Sequence, residues 1–408
     1  LRLKAHTMIL FFFPAFNFLC GTAYARHAFP IDLTSEKCCA LSDTSSAGQV
    51  IENFILGQHI EFDSKLLKER RDIFVYLPEG YAAGSERYPV IYVLDGGDYF
   101  EAFTGVIKYL SLFEMIPEMI VVAVAHGDRM KEFTYTPANE ETGNWPTSGG
   151  AETFRAFLSD ELIPYVDGSF RTHPFRILVG HSLAGLFAVE TLSRSPKLFQ
   201  ATIALSPSLY WNQFEWLKYA EDFLDQHDSL KHFLFITGEQ KDEEETSLLD
   251  KFKRLIETTA PRDFSYEYKC YPEENHASVA LPGLFSNLKQ LFTGWTFPGE
   301  AWETGPAKVK EHFQSLSDRF GFPVPITEEF LNSHALHGLQ RHNAPDEAIR
   351  LFEFCLSLYP DSAGAYAGLG EAFEQKGMRV KAVESYQKAL KIDPSDKNIK
   401  NRLERLRK

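Results

Sequence analysis

The chain has 408 residues, enough for two or three domains with a full core. Hydrophobic residues make up 44% and charged residues 24%, which excludes a disordered or fibrous chain. With 56 acidic against 42 basic side chains the formal net charge is -14, so a phosphate-rich partner finds no electrostatic footprint and nucleic acid is excluded as the expected ligand.

Residues 1–25 place Arg2 and Lys4 before an apolar run from Met8 to Cys20, followed by GTAYA. Basic, apolar, then small is the order of a cleavable secretory signal, with Ala23 and Ala25 at the two small positions before a cut at Arg26. Pro14 and Asn17 interrupt the run, which falls short of the roughly twenty residues a membrane span needs. The expectation is an exported protein, periplasmic or secreted, with no stable membrane span after cleavage. Residues 26–49 are polar and small and read as a linker. Of the four cysteines beyond the leader, Cys38 and Cys39 fall in this linker and Cys270 and Cys355 lie far along the chain. That spacing matches no zinc pattern, and no metal is expected.

From residue 50 to 293 strands and helices alternate. HIEFDSKLL and RRDIFVYLP read as a pair of early strands, and PVIYVLD (89–95) and MIVVAVA (119–125) as buried ones. A helix over 153–166 precedes the strand FRILVG, and ATIALSP, HFLFITG and YEYKCYP follow with helical stretches between them. Such alternation predicts an α/β fold, a mostly parallel sheet with helices on both faces and ligands at the carboxyl ends of its strands.

Within FRILVGHSLAGLFAVETL a β-prone run meets a helical pattern at Gly180-His181-Ser182-Leu183-Ala184-Gly185, close to the G-x-S-x-G nucleophile elbow. Taken alone, the motif equally fits an ordinary turn whose serine caps the helix. A serine nucleophile needs a base and a carboxylate that orients the base, in the chain order Ser, acid, His for this fold. His276 lies in EENHAS, between the last strand and the last helix, where the base is expected; His181 is expected to be structural. The acid is expected after HFLFITG, in EQKDEEE. Asp242 is the first choice, with Glu239 and Glu243 as alternatives, in a run that also fits a solvated helix start. Oxyanion donors are expected from the Leu183 N–H and, after PVIYVLD, from the glycine pair Gly96 and Gly97, with Gly97 preferred. Tyr99, Phe100, Tyr210 and Trp211 either line a substrate pocket or pack.

Beyond residue 307 no strand pattern remains. Residues 294–328 read as a helical connector and 329–408 as two helical-repeat units. Ala348 and Ala382, Phe352 and Tyr386, Cys355 and Ala389, and Pro360 and Pro394 are each 34 residues apart, a period that resembles the tetratricopeptide repeat. The first unit departs from the pattern, with Ala335 and Leu336 replacing its Leu-Gly pair. Cys355 is expected to pack as a small apolar residue.

Taken in order, LPEGY, YPVIYVLDGG, HGDRMKEFTYTP, ELIPYVDGSFRT, GHSLAG, LSPSLYW and EENHAS resemble the esterase family that includes the enterochelin and ferric-siderophore esterases. The resemblance implies an α/β-hydrolase fold over 50–293, hydrolysis of a small-molecule carboxylic ester by Ser182 with His276 as base, and no cofactor. It also implies that Arg129 lies near the site, where it either binds a substrate oxygen or closes a salt bridge. Some relatives work with a Ser-His pair alone. Two further expectations share these residues: a hydrolase-fold scaffold whose C-terminal repeats bind a protein partner, and an acyltransferase using the same nucleophile.

Overall fold

The computed structural model describes residues 55–240 and 243–407; the expected leader and linker, and Asp242, lie outside the described residues. In chain order the α/β part comprises β1 (Gln58–Ser64), β2 (Glu69–Tyr76), β3 (Tyr88–Leu94), α1 (Gly96–Leu112), β4 (Ile120–Val124), α2 (Arg129–Phe133) and α3 (Ala151–Phe157). A π-helical turn, Leu158–Leu162, joins α3 to α4 (Ile163–Ser169). There follow β5 (Thr172–His181), α5 (Leu183–Arg194), β6 (Ala201–Leu205), α6 (Glu215–Asp225), β7 (Ser229–Gly238), α7 (Glu243–Thr259), β8 (Arg262–Cys270) and α8 (Ala280–Leu291).

The strands form one sheet in the order β1-β2-β4-β3-β5-β6-β7-β8. β2 pairs antiparallel with β1 and with β4, because a short turn joins the first hairpin; every other pair is parallel, because a helix returns the chain to the same end. Every residue of β3, β4 and β6 is buried, which explains their unbroken apolar runs. The period of two divides them between two cores: Val90, Tyr92 and Leu94 join the core beneath α3 to α7, while Ile91 and Val93 join that beneath α1 and α8. β3 lies between β4 and β5, so successive crossovers leave it in opposite directions. That reversal opens a crevice at the carboxyl ends of β3 and β5.

The C-terminal part contains α9 (Ala301–Thr304), α10 (Pro306–Phe320), α11 (Glu328–Arg341), α12 (Pro345–Leu358), α13 (Ala363–Gln375), α14 (Arg379–Ile392) and α15 (Lys397–Arg407). Six of the eight residues repeating at 34 lie in its core: Ala348, Phe352, Cys355, Ala382, Tyr386 and Ala389 are all buried, while Pro360 and Pro394 are exposed. Gly370 has no room for a side chain, since a β-carbon there would lie 2.4 Å from the Tyr386 ring. Where α11 lacks the Leu-Gly pair, α9 compensates by laying Trp302 against Gly338, whose β-carbon would lie 2.6 Å from the indole. Burial pushes the Cys355 thiol up to about 11, so it packs as an apolar group.

The segment expected to be a connector is shared between two cores. On α10, Val309 belongs to the repeat core and Leu316 and Phe320 belong to the sheet core, while Phe313 packs against both. This i, i+4, i+7, i+11 stripe is one apolar helix face. Phe320 meets Phe175 of β5 edge-to-face at 5.4 Å and Phe292 at 5.0 Å, and Arg319 donates to the Leu291 carbonyl at 2.9 Å. Replacing Phe320 with Ala leaves a cavity at this seam and is expected to lower unfolding free energy by about 3 to 5 kcal/mol in urea titration.

Candidate active site

The crevice at β3 and β5 contains the sharp corner anticipated around Ser182. Ser182 has φ 59° and ψ -119°, a conformation costly for a residue with a side chain. Three hydrogen bonds hold it there: its N–H donates to Leu205 at 2.9 Å, and its carbonyl accepts from Leu186 at 3.1 Å and Ser208 at 3.0 Å. The corner closes only because Gly180 lacks a side chain, as a β-carbon there would sit 2.2 Å from the Ala184 carbonyl oxygen. Ala184 is fully buried. A second glycine is needed one position later, at Gly185, where a β-carbon would lie 3.0 Å from Pro207.

His276 comes from the loop after β8 and sets its Nε2 2.9 Å from Ser182 Oγ. Two devices hold that loop. Asn275 Oδ1 accepts from the N–H groups of Ala277 and Ser278, both at 3.0 Å. His181 Nε2 donates to the His276 carbonyl at 2.6 Å and its Nδ1 lies 2.9 Å from the Tyr99 hydroxyl. Burial pushes the His181 pKa down, so the ring is neutral, with Nε2 carrying the proton and Nδ1 accepting from Tyr99.

On the other side of the base, Glu239 follows directly from β7 and brings Oε1 to 3.3 Å from His276 Nδ1. Thus Glu239, the second choice among the acids, faces the base. Asp242 is outside the described residues and Glu243 opens α7. Ser206, just past β6, places Oγ 2.9 Å from His276 Nδ1 and donates to Glu239 Oε2 at 2.5 Å. Ser208 Oγ lies 3.3 Å from Ser182 Oγ. These two serines went unrecognised in LSPSLYW because a Ser-Pro-Ser run reads as turn chemistry. Their location just past a parallel strand is the signal that could have found them.

Leu183 is the first residue of α5, whose twelve residues direct their N-terminus at the corner. Gly97, the preferred second donor, lies in the first turn of α1 and is exposed. Gly96 is the constrained glycine, since a β-carbon there would lie 2.6 Å from the backbone of Ala123 and Val124. The preceding Asp95 has φ 53° and an almost fully buried carboxylate. Arg129 grips it with Nε at 2.9 Å and Nη2 at 2.7 Å, and His126 Nδ1 donates at 2.9 Å. Of the two roles left open for Arg129, the fork geometry is that of the salt bridge. Among the aromatic candidates, Trp211 is buried and donates to the Thr136 carbonyl, Tyr210 is exposed, and Phe100 stacks on Phe74 at 5.5 Å.

A family model described as Putative esterase matches residues 64–277, more than half of the chain. The chain belongs to this family. A tetratricopeptide-repeat model matches residues 363–396, the second of the two units. The ferri-bacillibactin esterase BesA of Bacillus subtilis is 29% identical over 222 residues, covering 49% of this chain and 76% of the relative. The siderophore triacetylfusarinine C esterase of Aspergillus fumigatus is 25% identical over 255 residues, 54% of this chain and 86% of that one. In structure, an IroE-like serine hydrolase from Shewanella oneidensis superposes with a TM-score of 0.66 at 29% identity, covering 74% of this chain and 99% of its own. The fold is the α/β-hydrolase fold, and the esterase family places the chain among carboxylic ester hydrolases. Among the described residues no helix is long and apolar enough to cross a membrane, and no group of three or more His, Cys, Asp or Glu is placed to hold a metal.

The Asp95 cluster gives a pH signature. Burial alone would raise the Asp95 carboxyl; the His126 hydrogen bond and the Arg129 fork outweigh it and hold the group below the usual carboxylate range. The same hydrogen bond raises the His126 pKa above its ordinary value. A raised histidine contributes stability that is fully present below its unfolded value, near 6.5, and is lost as pH climbs through the folded value. The stability advantage of wild type over His126→Ala, measured by chemical denaturation, is therefore expected to be largest below pH about 6.5 and to shrink above it.

Proposed function

We propose that the protein is a serine esterase that hydrolyses a siderophore-type carboxylic ester through an acyl-enzyme on Ser182. The observation that carries the reading is the 2.9 Å approach of His276 Nε2 to a serine held in a strained corner at the head of a helix. With the Nδ1 proton directed at Ser206 and Glu239, the Nε2 lone pair is left to take the Ser182 hydroxyl proton. The alkoxide adds to the ester carbonyl. The oxyanion is met by the Leu183 N–H at the α5 N-terminus and by the N-terminus of α1 at Gly97. The His276 imidazolium then gives its proton to the departing alkoxide. Water enters and gives its proton to His276 as its oxygen adds to the acyl carbonyl; the bond to Ser182 Oγ then breaks, the imidazolium returns the proton to Oγ, and the acid departs. Throughout, Glu239 offsets the charge that forms on the ring.

Two relatives, a ferri-bacillibactin esterase and a triacetylfusarinine C esterase, support a siderophore ester as substrate. Half-exposed, His276 sits in an open site, as a bulky substrate requires. The basic, apolar and small-residue order of residues 1–25 supports an exported enzyme.

A fluorophosphonate probe is expected to label wild type stoichiometrically at Ser182, as read by peptide mass spectrometry. Ser182→Ala is expected to lose the label and to lower kcat by roughly 10⁴ to 10⁶; a variant that keeps its activity rules out the acyl-enzyme. In an ester panel, ferric siderophore esters are expected to give a higher kcat/KM than a short-chain aryl ester. The opposite order leaves the chemistry standing and removes the substrate class.

A further inference from the structure

We infer that Ser206 is the positioning residue that orients His276, and that Glu239 acts on the base through the Ser206 hydroxyl. The inference rests on the serine-esterase reading of Ser182 and His276. Distances single out the serine. His276 Nδ1 lies 2.9 Å from Ser206 Oγ, at the optimum for an N–H donor, and 3.3 Å from Glu239 Oε1, beyond the usual range. Between Ser206 Oγ and Glu239 Oε2 the separation is 2.5 Å, the length of a charge-assisted O–H bond to a carboxylate.

Proton counting gives the arrangement a direction. A serine hydroxyl has one hydrogen to donate, and here it goes to Glu239. Toward His276 the same oxygen can only accept, so Nδ1 must carry the ring proton and Nε2 must present its lone pair to Ser182. Ser206 thereby selects the tautomer that a general base needs, and the carboxylate polarises the hydroxyl behind it.

The backbone holds Ser206 in this role. It is fully buried, with φ 40°, a left-handed conformation adopted just past the last residue of β6. Its N–H donates to the Thr237 carbonyl of β7. Next to it, Pro207 packs against Gly185 of the elbow helix, and the Ser208 N–H donates to the Ser182 carbonyl at 3.0 Å. One three-residue turn is therefore tied to the base at its first residue and to the nucleophile at its third.

A double-mutant cycle on the full chain tests this. Ser206→Ala and Ser206→Gly both delete the hydroxyl, and glycine also suits the positive φ, so a fall shared by both reports the hydroxyl and not the backbone. Each is expected to lower kcat on the order of 10²-fold with KM little changed, while fluorophosphonate still modifies Ser182 to completion. Adding Glu239→Gln to Ser206→Ala is expected to cost little more, since the acid has lost its route to the ring. Wild-type kcat in Ser206→Gly overturns the inference. So does a Glu239→Gln effect as large in the Ser206→Ala background as in wild type, which shows the carboxylate acting directly. Neither result touches the serine-esterase reading, which fails on its own terms if wild type is not labelled at Ser182.

Discussion

Everything in the catalytic crevice depends on a contact that no side chain can enter, the approach of Gly180 to the Ala184 carbonyl. A β-carbon there would sit 2.2 Å from that oxygen, so any other residue pushes β5 and α5 apart. Opening the corner would relax the unusual backbone of Ser182 and retract its hydroxyl from His276. It would also loosen the Ser182 hydrogen bonds to Leu205 and Ser208, and with them the turn carrying Ser206. Strain in the nucleophile and order in its neighbours are two results of the same constraint.

The parallel sheet turns this local corner into a site. Because β3, β5, β6, β7 and β8 all run in one direction, their carboxyl ends deliver Asp95, Ser182, Ser206, Glu239 and His276 to one edge. None of these residues is near another in sequence except through that alignment. The flanking helices divide the remaining work: α5 meets the nucleophile with its N-terminus, and α1 contributes Tyr99, which reaches the His276 loop by way of His181.

Much of this was legible in the residues, for reasons that also explain the rest. Unbroken apolar runs identify β3, β4 and β6 because burial on both faces demands them. Ser182 and His276 are readable because each occupies a strand end of known chemical consequence. The acid was ambiguous because EQKDEEE carries no periodicity; β7 ends at Gly238, and among the described residues that end brings Glu239 to the ring. The glycine pair Gly96-Gly97 reads as a donor turn after PVIYVLD; in the structure Gly96 lies against β4 and the pair begins α1. Ser206 was invisible because its role depends on a left-handed backbone that no local pattern announces. The division of α10 between two cores was hidden too, since one apolar stripe does not say that its halves face different partners.

That stripe determines where the repeats are moored. Phe320 and Phe322 pack against Phe175 and His173, at the beginning of β5, and Ser182 follows the far end of the same strand. Seven residue-to-residue steps of extended chain lead from Phe175 to the nucleophile, about 23 Å at roughly 3.3 Å per step. The end of α10 and the residue pair after it therefore grip the strand by its root while the reactive serine stands at its tip. Stiffness supplied at one end of β5 is inherited at the other, as a lever is steadied by its mount.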